Sequence, residues 1–435
     1  MDIPVVFLYN SVMKIGYATL GCKVNQQETA AIIERFSELG FGVAADGEAA
    51  DGYIINSCSV TSMADSKTRQ RIRQAKRQNP DAVVAVIGCY VGVHEAEAEA
   101  MPEVDIVINS ENKDEIVWRM AEALSPVGLT ETGSFTDALQ ALDISSVVSA
   151  PEGRTRAYIK VEDGCDRFCS YCIIPIARGQ VRSRPKAEII GEVENLVRKG
   201  YKEIVITGIN TALYGRDFGA EDEILALISD ISEIDGDFRI RLGSLEPTVI
   251  NAELARRLVK IPKLCPHLHL SLQSGSDRVL KEMGRKYSRQ EYLDIVSVLR
   301  ESDLNFAIST DIIVGFPGET DEDFQDSIDM VRQAKFSKVH VFKYSMRPGT
   351  KAAELTGQVP EEVKKKRSLT LTARAEEIAN EFNLLSVGQA RQTLILGVGN
   401  DGRARGITDN GIELVLLGEY KENTFADIII EKEDL

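Results

Sequence analysis

The fold of this chain is decided by the stretch Gly164-Cys165-Asp166-Arg167-Phe168-Cys169-Ser170-Tyr171-Cys172. It places three cysteines in a C-x3-C-x2-C spacing directly after a strand-like, alternating segment. Structural zinc sites and electron-transfer clusters normally use four protein ligands. Three thiolates hold three irons of a four-iron cluster and leave the fourth iron open, so the spacing predicts a cluster that does chemistry. A disulfide-rich loop is the alternative interpretation.

The composition is typical of an intracellular enzyme with several domains. The 435 residues are 43% hydrophobic and 27% charged, which is enough for two or three hydrophobic cores. Six of the seven cysteines can be assigned to two iron-sulfur sites, one given above and one below. Only Cys265 is then left over, and no disulfide framework remains to be built. We therefore expect a cytoplasmic protein.

The termini and the net charge limit the possible partners. No segment is long enough to span a bilayer, and the opening residues lack the basic leader and cleavage site of a signal peptide, so we expect no membrane contact. The first strand is predicted to begin at Lys14, which makes Met13 the expected effective start. The formal net charge is -16, so any nucleic acid has to be bound by local basic patches.

The first ninety residues contain three strand-like runs, and each run ends in a cysteine. These cysteines are Cys22, Cys58 and Cys89. Helical patterns separate the runs, so this part is predicted to be an N-terminal parallel α/β sheet domain. The ligand crevice of such a sheet lies beyond the carboxyl ends of its strands. The three cysteines are therefore expected to converge there as a second cluster site, unless they are inert buried residues.

Short motifs along the chain resemble a known family. The C-x3-C-x2-C spacing, with Tyr171 before its last cysteine, resembles the radical S-adenosylmethionine (SAM) enzymes. The motifs that precede it resemble those of the methylthiotransferases: Thr19-Leu20-Gly21-Cys22-Lys23-Val24-Asn25-Gln26, Asn56-Ser57-Cys58-Ser59-Val60-Thr61 and Gly88-Cys89-Tyr90. The resemblance covers nearly the whole chain from about Met13, with further blocks at Arg178-Gly179, Thr207-Gly208-Ile209-Asn210, Ser271-Leu272-Gln273-Ser274-Gly275, Val314-Gly315-Phe316-Pro317-Gly318-Glu319-Thr320 and Tyr344-Ser345-Met346-Arg347-Pro348-Gly349-Thr350.

The first motif indicates a branch of that family. Cys-Lys-Val-Asn-Gln resembles the branch that acts on threonylcarbamoyl-adenosine in tRNA, and the resemblance implies a methylthio group added to C2 of that base beside the anticodon. The alternatives are a methylthiotransferase that acts on isopentenyladenosine tRNA or on a ribosomal-protein side chain. An alternative from another class is a non-catalytic iron-sulfur electron carrier.

The resemblance also implies the cofactors and their ligands. Cys165, Cys169 and Cys172 would hold the catalytic 4Fe-4S cluster that cleaves SAM, and the cysteines that end the three early strands would hold a second 4Fe-4S cluster that supplies the sulfur. Two SAM molecules would be used per turnover, because one gives the radical and another gives the methyl group. The expected partners are a tRNA anticodon arm, a sulfur donor and an electron donor such as flavodoxin or ferredoxin.

The central part alternates strand-like and helical patterns. Six strand-like runs, at 158–161, 203–207, 238–242, 267–272, 306–314 and 338–344, predict parallel strands with helical crossovers. Six such units fit a central partial (β/α)6 radical SAM barrel, in which the chemistry lies on the loops after the strands.

Polar and glycine residues at these strand ends are the candidates for cofactor binding. They are Tyr171, Thr207, Gly208, Asn210, Ser244, Glu246, Gln273 and Gly315. Each can equally be a loop or cap residue. His267 and His269 alternate on one predicted strand and His340 lies on another. For these histidines we expect interior packing or hydrogen bonding rather than metal ligation.

The C-terminal part predicts four short strands with Asn-Asp-Gly and Asp-Asn-Gly turns, which form a small C-terminal antiparallel β-barrel. It resembles the TRAM domain that methylthiotransferases carry for RNA binding, with a passive β cap as the alternative. The predicted domains are 13–125 (methylthiotransferase domain), 126–150 (linker), 151–382 (radical SAM core) and 383–435 (TRAM-like domain).

Two basic sets are candidates for RNA binding. The helix after Cys58 carries Lys67, Arg69, Arg71 and Arg73. The C-terminal strands carry Arg391, Arg403 and Arg405. Charged runs of this kind are often only solvated faces, but an acidic chain that binds tRNA needs such patches to contact phosphates.

Overall fold

A computed structural model describes residues 12–45, 47–110, 112–124, 155–219 and 223–435. Their contacts divide them into two compact units. The first unit contains the described residues up to 124 together with Cys172–Gln180, and the second contains the described residues of Glu152–Tyr171 and Val181–Leu435. The predicted linker at 126–150 and the first eleven residues, 1–11, lie outside the described residues.

The first unit is built on a parallel sheet. Its strands are β1 (Lys14–Thr19), β2 (Gly42–Val43), β3 (Gly52–Ser57), β4 (Val83–Gly88) and β5 (Ile106–Ile108), in the order β2-β1-β3-β4-β5. Within the described residues, four helices follow strands of this sheet: α1 (Lys23–Glu38), α2 (Ser62–Gln78), α3 (Cys89–Glu99) and α4 (Ile116–Leu124). Another helix, α5 (Ile174–Arg178), lies in the segment Cys172–Gln180 of the same unit. The predicted parallel α/β sheet is confirmed. The two-residue strand β2 was not expected.

Two hydrophobic cores cover the two faces of this sheet. Ile54 packs with Phe36 and Met120 in one core, whereas Tyr53 and Ile55 pack in the other. Successive strand residues point to opposite faces. Because both faces are covered, β3 reads as a continuous run of buried residues rather than as an alternating one.

The second unit contains two parallel sheets. Its strands are β6 (Arg156–Lys160), β7 (Glu162–Asp163), β8 (Arg182–Ser183), β9 (Glu203–Thr207), β10 (Arg239–Leu242), β11 (Ser244–Leu245), β12 (His267–Leu270), β13 (Ala307–Val314) and β14 (Lys338–Lys343). The sheets have the orders β10-β9-β6 and β11-β12-β13-β14, and β7 pairs with β8 in an antiparallel ribbon. All six predicted strand runs are confirmed as strands of the parallel sheets, within two residues at each end.

Helices alternate with these strands. They are α6 (Lys186–Arg198), α7 (Glu223–Ser232), α8 (Ala252–Leu258), α9 (Asp277–Glu282), α10 (Arg289–Ser302), α11 (Asp321–Ala334), α12 (Lys351–Glu354) and the long α13 (Glu361–Leu384). Side chains fix where several of them begin. Ser288 forms a capping box at the start of α10, and Thr320 forms one at the start of α11.

The C-terminal strands form one antiparallel sheet. They are β15 (Ala390–Val398), β16 (Arg403–Thr408), β17 (Glu413–Leu417) and β18 (Phe425–Ile429), in the order β17-β16-β15-β18. The four predicted strands are confirmed. By its contacts this sheet belongs to the same compact unit as the parallel sheets, although the sequence predicts a domain boundary at 383.

A buried ionic network attaches the C-terminal sheet to β9 and β10. The carboxylate of Glu203 is fully buried and accepts hydrogen bonds from Arg156, Arg239 and Arg241. Arg239 also donates to the carbonyl oxygen of Ile407 in β16 at 2.9 Å. Arg241 donates to the carbonyl oxygen of Thr408 in the same strand at 3.1 Å. These arginines lower the pKa of Glu203 well below its usual range against the opposing effect of burial.

Candidate functional site

The three strand-end cysteines of the first unit come together as the sequence predicts. Cys22 caps α1 after β1, Cys58 follows β3, and Cys89 begins α3 after β4. These three strands are neighbours in the sheet. A side chain added at Gly21 would lie 3.0 Å from the Sγ of Cys58, which places that sulfur directly against the loop that carries Cys22.

The chemistry of these thiols suits a soft metal centre. Burial, with smaller contributions from the neighbouring thiols of Cys89 and Cys22, raises the pKa of the Cys58 thiol to about 11. Burial also raises the pKa of Cys22, while the Arg178 guanidinium acts in the opposite direction. The thiols of Cys22 and Cys58 are therefore protonated at neutral pH, and a metal that binds them must displace these protons. Three sulfur donors could hold three irons of a cluster.

A buried polar lattice fixes the three cysteine loops. Asn25 donates from Nδ2 to the carbonyl oxygens of Leu20 at 2.7 Å and Ser57 at 2.9 Å. Asn56 donates from Nδ2 to the Asn25 carbonyl at 3.0 Å. The Ser57 hydroxyl donates to the carbonyl of β4 residue Ile87 and accepts from the backbone N–H that follows Cys89 at 3.1 Å. Each loop is thus tied to its neighbour by the motif residues that flank the cysteines.

Arg178 is a site residue to which the sequence analysis assigned no role. Its side chain is completely buried. Nε donates to the Sγ of Cys89 at 3.1 Å, Nη1 donates to Glu28 at 3.2 Å, and Nη2 donates to the Oδ1 of Asn25. The buried Lys113 Nζ lies 2.7 Å from the same Glu28 carboxylate. The only sequence signal was the Arg-Gly pair that follows the C-x3-C-x2-C motif.

The segment that carries Arg178 packs closely in the first unit. The Ser110 hydroxyl donates to the carbonyl oxygen of Ala177 at 3.1 Å. Gly92 of α3 lies so close that an added Cβ would be 2.1 Å from the same oxygen. Only glycine allows this approach of two backbones. The segment begins at Cys172, whereas Cys165 and Cys169 belong to the second unit.

In the second unit, the cysteine loop follows β6 and β7 and is anchored by its backbone. The Ser170 N–H donates to the carbonyl of Met283 at 2.9 Å, and the Ser170 carbonyl accepts from Ala352 at 2.7 Å. Burial raises the pKa of Cys165 to about 12. Its thiol, like that of Cys58, needs a bound metal to be a thiolate at neutral pH.

Glu246 is the centre of the polar groups around this loop. Its carboxylate accepts from Arg167 Nε at 2.8 Å and from Asn210 Nδ2 at 3.0 Å, and Arg285 Nη1 lies 3.3 Å away. Arg285 is buried and also contacts the Sγ of Cys169 at 3.4 Å. The structure thus brings two predicted cofactor residues, Glu246 and Asn210, to the cysteine loop. It adds Arg285, which the sequence analysis did not single out.

One buried polar atom indicates room for a ligand here. The Oδ1 of Asn210 is buried and has no hydrogen-bond partner within the described part of the chain. Buried amide oxygens are nearly always satisfied. A bound molecule with a donor group, such as the amino group of SAM, fits this position.

The remaining cofactor candidates lie at strand ends of the second unit. Thr207 ends β9, and Gly208 leaves no space for a side chain, because an added Cβ would lie 2.5 Å from Glu162 Oε2. The Ser244 carbonyl accepts from the hydroxyl of Thr211 at 2.7 Å. Gln273 has a left-handed backbone with a φ of 69°, which is rare for a side chain of this size and common at functional sites.

Gly315 and Tyr171 are held mainly by packing. An added Cβ at Gly315 would lie 2.3 Å from the Cγ of Lys364, so α13 covers this glycine. The Gly315 N–H donates to Glu319 Oε2 at 2.9 Å. Tyr171 packs against the hydrophobic cluster around Phe316. Both residues stay predictions as cofactor contacts.

The basic helix α2 is partly neutralised by acidic neighbours. Arg69 lies 3.2 Å from Glu97, and Arg73 lies 3.7 Å from Glu103. Arg71 is exposed and donates to the neutral side chain of Gln74. Lys67 is exposed as well. Arg71 also lines a surface cavity of about 240 Å³ together with Tyr17 and Tyr53. A cation beside aromatic rings is a common arrangement where single-stranded nucleic acid binds.

The C-terminal arginines differ in their surroundings. Arg391 is largely buried and forms two hydrogen bonds, of 2.7 and 2.9 Å, to the carboxylate of Asp303. Arg403 and Arg405 are exposed on β16. The guanidinium of Arg391 is therefore engaged in holding β15, whereas the other two are accessible to a phosphate.

No helix in the described residues is long and apolar enough to cross a membrane.

Two family models match the chain. The Radical SAM superfamily matches residues 159–331, a range that contains the C-x3-C-x2-C loop and Glu246. The Uncharacterized protein family UPF0004 matches residues 14–109, a range that contains Cys22, Cys58 and Cys89.

The chain is also similar to characterised proteins over most of its length. The threonylcarbamoyladenosine tRNA methylthiotransferase MtaB of Thermotoga maritima is 41% identical over 379 residues, which are 86% of this chain and 85% of that protein. The protein of the same name from Bacillus subtilis is 40% identical over 85% of this chain and 81% of its own length. The tRNA-2-methylthio-N(6)-dimethylallyladenosine synthase of Pelotomaculum thermopropionicum is 34% identical over 88% of this chain and 87% of its own length.

Among solved structures, the radical S-adenosylmethionine methyltransferase TsrM of Kitasatospora setae is similar in fold. Its form with cobalamin and a 4Fe-4S cluster bound gives a TM-score of 0.56 at 15% identity, over 78% of this chain and 73% of that one. At this identity the likeness concerns the fold alone.

Proposed function

Because this chain belongs to the radical SAM methylthiotransferases that modify tRNA, we propose that it adds a methylthio group to C2 of threonylcarbamoyl-adenosine beside the anticodon. Four relatives that carry the threonylcarbamoyladenosine name are 37 to 41% identical to it. Four that carry the dimethylallyladenosine name are 34 to 36% identical. This difference favours the first substrate over isopentenyladenosine.

The observation that carries the proposal is the second set of three thiols. Cys22, Cys58 and Cys89 follow neighbouring strands and lie beside a buried arginine. An enzyme that only generates a radical needs one cluster. A second open cluster is expected where a sulfur atom must also be delivered.

The chain's own residues would hold and orient the two clusters and SAM. Cys165, Cys169 and Cys172 would hold the cluster that supplies the electron for SAM cleavage, and Cys22, Cys58 and Cys89 would hold the cluster that supplies the sulfur. Asn210 and Glu246, joined by a 3.0 Å hydrogen bond, present an amide oxygen and a carboxylate to the amino group of SAM. The buried surroundings of these residues exclude water from the reacting atoms.

The second unit supports the remaining parts of the proposal. Its two parallel sheets are the halves of a partial (β/α)6 barrel, and its C-terminal sheet is a TRAM-like module that, with α2, contacts the phosphates of the tRNA anticodon arm. We propose that the reaction takes place in the cytoplasm. Flavodoxin or ferredoxin provides electrons, and a separate donor provides sulfur.

The experiment is mass spectrometry of nucleosides from tRNA treated with the reconstituted enzyme. Transcripts that carry threonylcarbamoyl-adenosine or isopentenyladenosine are compared. We expect a methylthio product from the first tRNA and little from the second. The Cys58→Ala variant should still cleave SAM but give no methylthio product, whereas Cys169→Ala should do neither. A product made only from the isopentenyl substrate, or an unchanged yield in Cys58→Ala, would overturn the proposal.

A further inference from the structure

Three neighbouring strands of the second unit bring two imidazoles and a carboxylate to one face of a sheet. β12, β13 and β14 are parallel, and their register pairs His269 with Ser309 and Asp311 with His340. Residues two apart on a strand point to the same side. Since Ser309 and Asp311 are two apart, all four side chains lie on one face.

The three side chains bring their candidate ligand atoms close together. The Nε2 of His269 lies 3.2 Å from the Oδ2 of Asp311. Each of the three residues His269, Asp311 and His340 offers one ligand atom, and these three atoms lie within 4.8 Å of one another. The first two side chains are 14% and 26% exposed and His340 is more exposed, so an ion can enter from solvent. The predicted hydrogen bonding of His269 is present, but the strand pattern gave no reason to expect a carboxylate between the two histidines.

Ser309 orients the His269 ring. The Nδ1 of His269 lies 3.0 Å from the Ser309 hydroxyl, which is also 3.4 Å from the Nε2 of His267. If the hydroxyl donates to His267, it accepts from the Nδ1–H of His269. In this tautomer the Nε2 lone pair of His269 is available as a ligand beside the Asp311 carboxylate, 3.2 Å away. A partner that fixes the ring through its other nitrogen is the usual second contact of a metal-binding histidine.

We propose that His269, Asp311 and His340 form a binding site for a divalent transition-metal ion, with no cysteine among its ligands. Two imidazoles and one carboxylate are ligands that suit Zn²⁺ and Fe²⁺, and three protein ligands leave coordination positions for water or another oxygen donor. The ligands are nitrogen and oxygen rather than sulfur, so the site takes an ion instead of a cluster. The ligand atoms need to approach one another by about 1 to 2 Å, which side-chain rotation can provide.

The test is zinc binding by the fully reconstituted protein. Loosely bound metal is removed with a chelator, the holoprotein is dialysed against buffered Zn²⁺, and zinc and iron are counted by mass spectrometry. We expect about one zinc per chain, with the iron content unchanged. His269→Ala and His340→Ala should each weaken zinc binding by roughly tenfold to a hundredfold or more. Asp311→Asn keeps the shape of the side chain and should also bind zinc weakly.

The matched control is His94→Ala. His94 also lies beside two carboxylates, at 3.6 Å from Asp65 and 3.5 Å from Glu97, but on a helix of the first unit. We expect this variant to keep the bound zinc. The proposal fails if the wild-type protein, with its iron-sulfur clusters in place, binds no zinc. It also fails if Asp311→Asn and His269→Ala bind zinc as tightly as wild type, since the three residues then form only a hydrogen-bonded group.

Discussion

The Nε of Arg178 donates a hydrogen bond to the Sγ of Cys89 across 3.1 Å, although the two residues are 89 positions apart in the chain. A second buried arginine, Arg285, lies 3.4 Å from the Sγ of Cys169 in the other unit. Hydrogen bonds to cluster sulfurs and nearby positive charge raise the reduction potential of an iron-sulfur centre. Each set of cysteines thus has its own arginine.

The first prediction concerns Arg178. Replacing it by glutamine removes a buried positive charge beside Cys89, so the reduction potential of the cluster on the strand-end cysteines should fall by tens of millivolts. The potential is measured by redox titration with electron paramagnetic resonance in a background where the C-x3-C-x2-C cysteines are alanines, so that one cluster is observed. Arg285→Gln in this background is the control and should leave that potential unchanged. A potential unaltered in Arg178→Gln at full iron content would contradict the prediction.

The second prediction concerns the contact between Gly92 and Ala177. Gly92→Ala would put a Cβ 2.1 Å from a backbone oxygen, and a backbone cannot move aside as a flexible side chain can. The segment with Arg178 must then shift, so we expect a loss of about 1 to 3 kcal/mol of stability and a lower iron content on Cys22, Cys58 and Cys89. Gly191→Ala is the matched control, because nothing lies within 4 Å of its added Cβ in helix α6. Iron analysis and thermal unfolding of both variants give the measurement, and equal behaviour of the two would exclude the steric argument.

The third prediction concerns the pH dependence of stability. Burial alone would raise the pKa of Asp323, but hydrogen bonds from Arg278, Ser276 and Thr320 outweigh it and hold the pKa well below its usual range. Asp323 therefore stays ionised in the folded protein at a pH where the unfolded chain takes up a proton. Its contribution is complete above pH of about 4 and decreases as the pH falls below that value.

Asp323→Asn should accordingly lower the free energy of unfolding at pH 7 by about 2 kcal/mol, and the difference from wild type should shrink in acid. Asp326→Asn, one turn along the same helix, removes a more exposed ion pair with Arg289 and should cost less than about 1 kcal/mol. Unfolding midpoints measured from pH 7 to pH 3.5 test this. A difference that stays constant with pH would mean that the hydrogen bonds do not act through the charge of Asp323.

The fourth prediction concerns tRNA binding by helix α2. Arg71 is exposed and donates to the neutral side chain of Gln74, whereas Glu97 and Glu103 offset the charges of Arg69 and Arg73. Arg71→Gln should therefore weaken tRNA binding more than Arg69→Gln, and should reduce the slope of affinity against salt by roughly one unit if one phosphate contact is lost. Filter binding over a series of salt concentrations is the measurement, with Arg332→Gln on α11 as control. If the variant that changes Arg69, Arg71 and Arg73 together binds like wild type at every salt concentration, the helix is only a solvated face, and the exposed arginines of β16 become the candidates.

The sequence predicted the parts of the site that local patterns carry. Each strand-like run stops at Cys22, Cys58 or Cys89, so the strand periodicity located these cysteines and the parallel sheet brought them together. Arg178 and Lys113 could not be placed in this way. Arg178 reaches Cys89 and Lys113 reaches Glu28 from segments far along the chain, and only tertiary packing decides which charged side chain is buried.

The same limit applies to the second unit and to helix α2. Glu246 and Asn210 were predicted from their position after strands, but the contact of Arg285 with Cys169 depends on a loop more than a hundred residues later. The basic run on α2 is plain in the sequence. Its partial neutralisation by Glu97 is not, because that residue lies on another helix.

The buried Glu203 network makes the C-terminal sheet unsuitable for exchange as an independent cassette. Arg239 and Arg241 share their guanidinium groups between the Glu203 carboxylate and backbone carbonyls of β16. A graft from another protein would have to offer carbonyl oxygens at the same places, since otherwise buried N–H donors lose their acceptors at a cost of about 1 to 3 kcal/mol each. In the sheet that would contact tRNA, only substitutions that leave these backbone carbonyl oxygens in place keep the network intact.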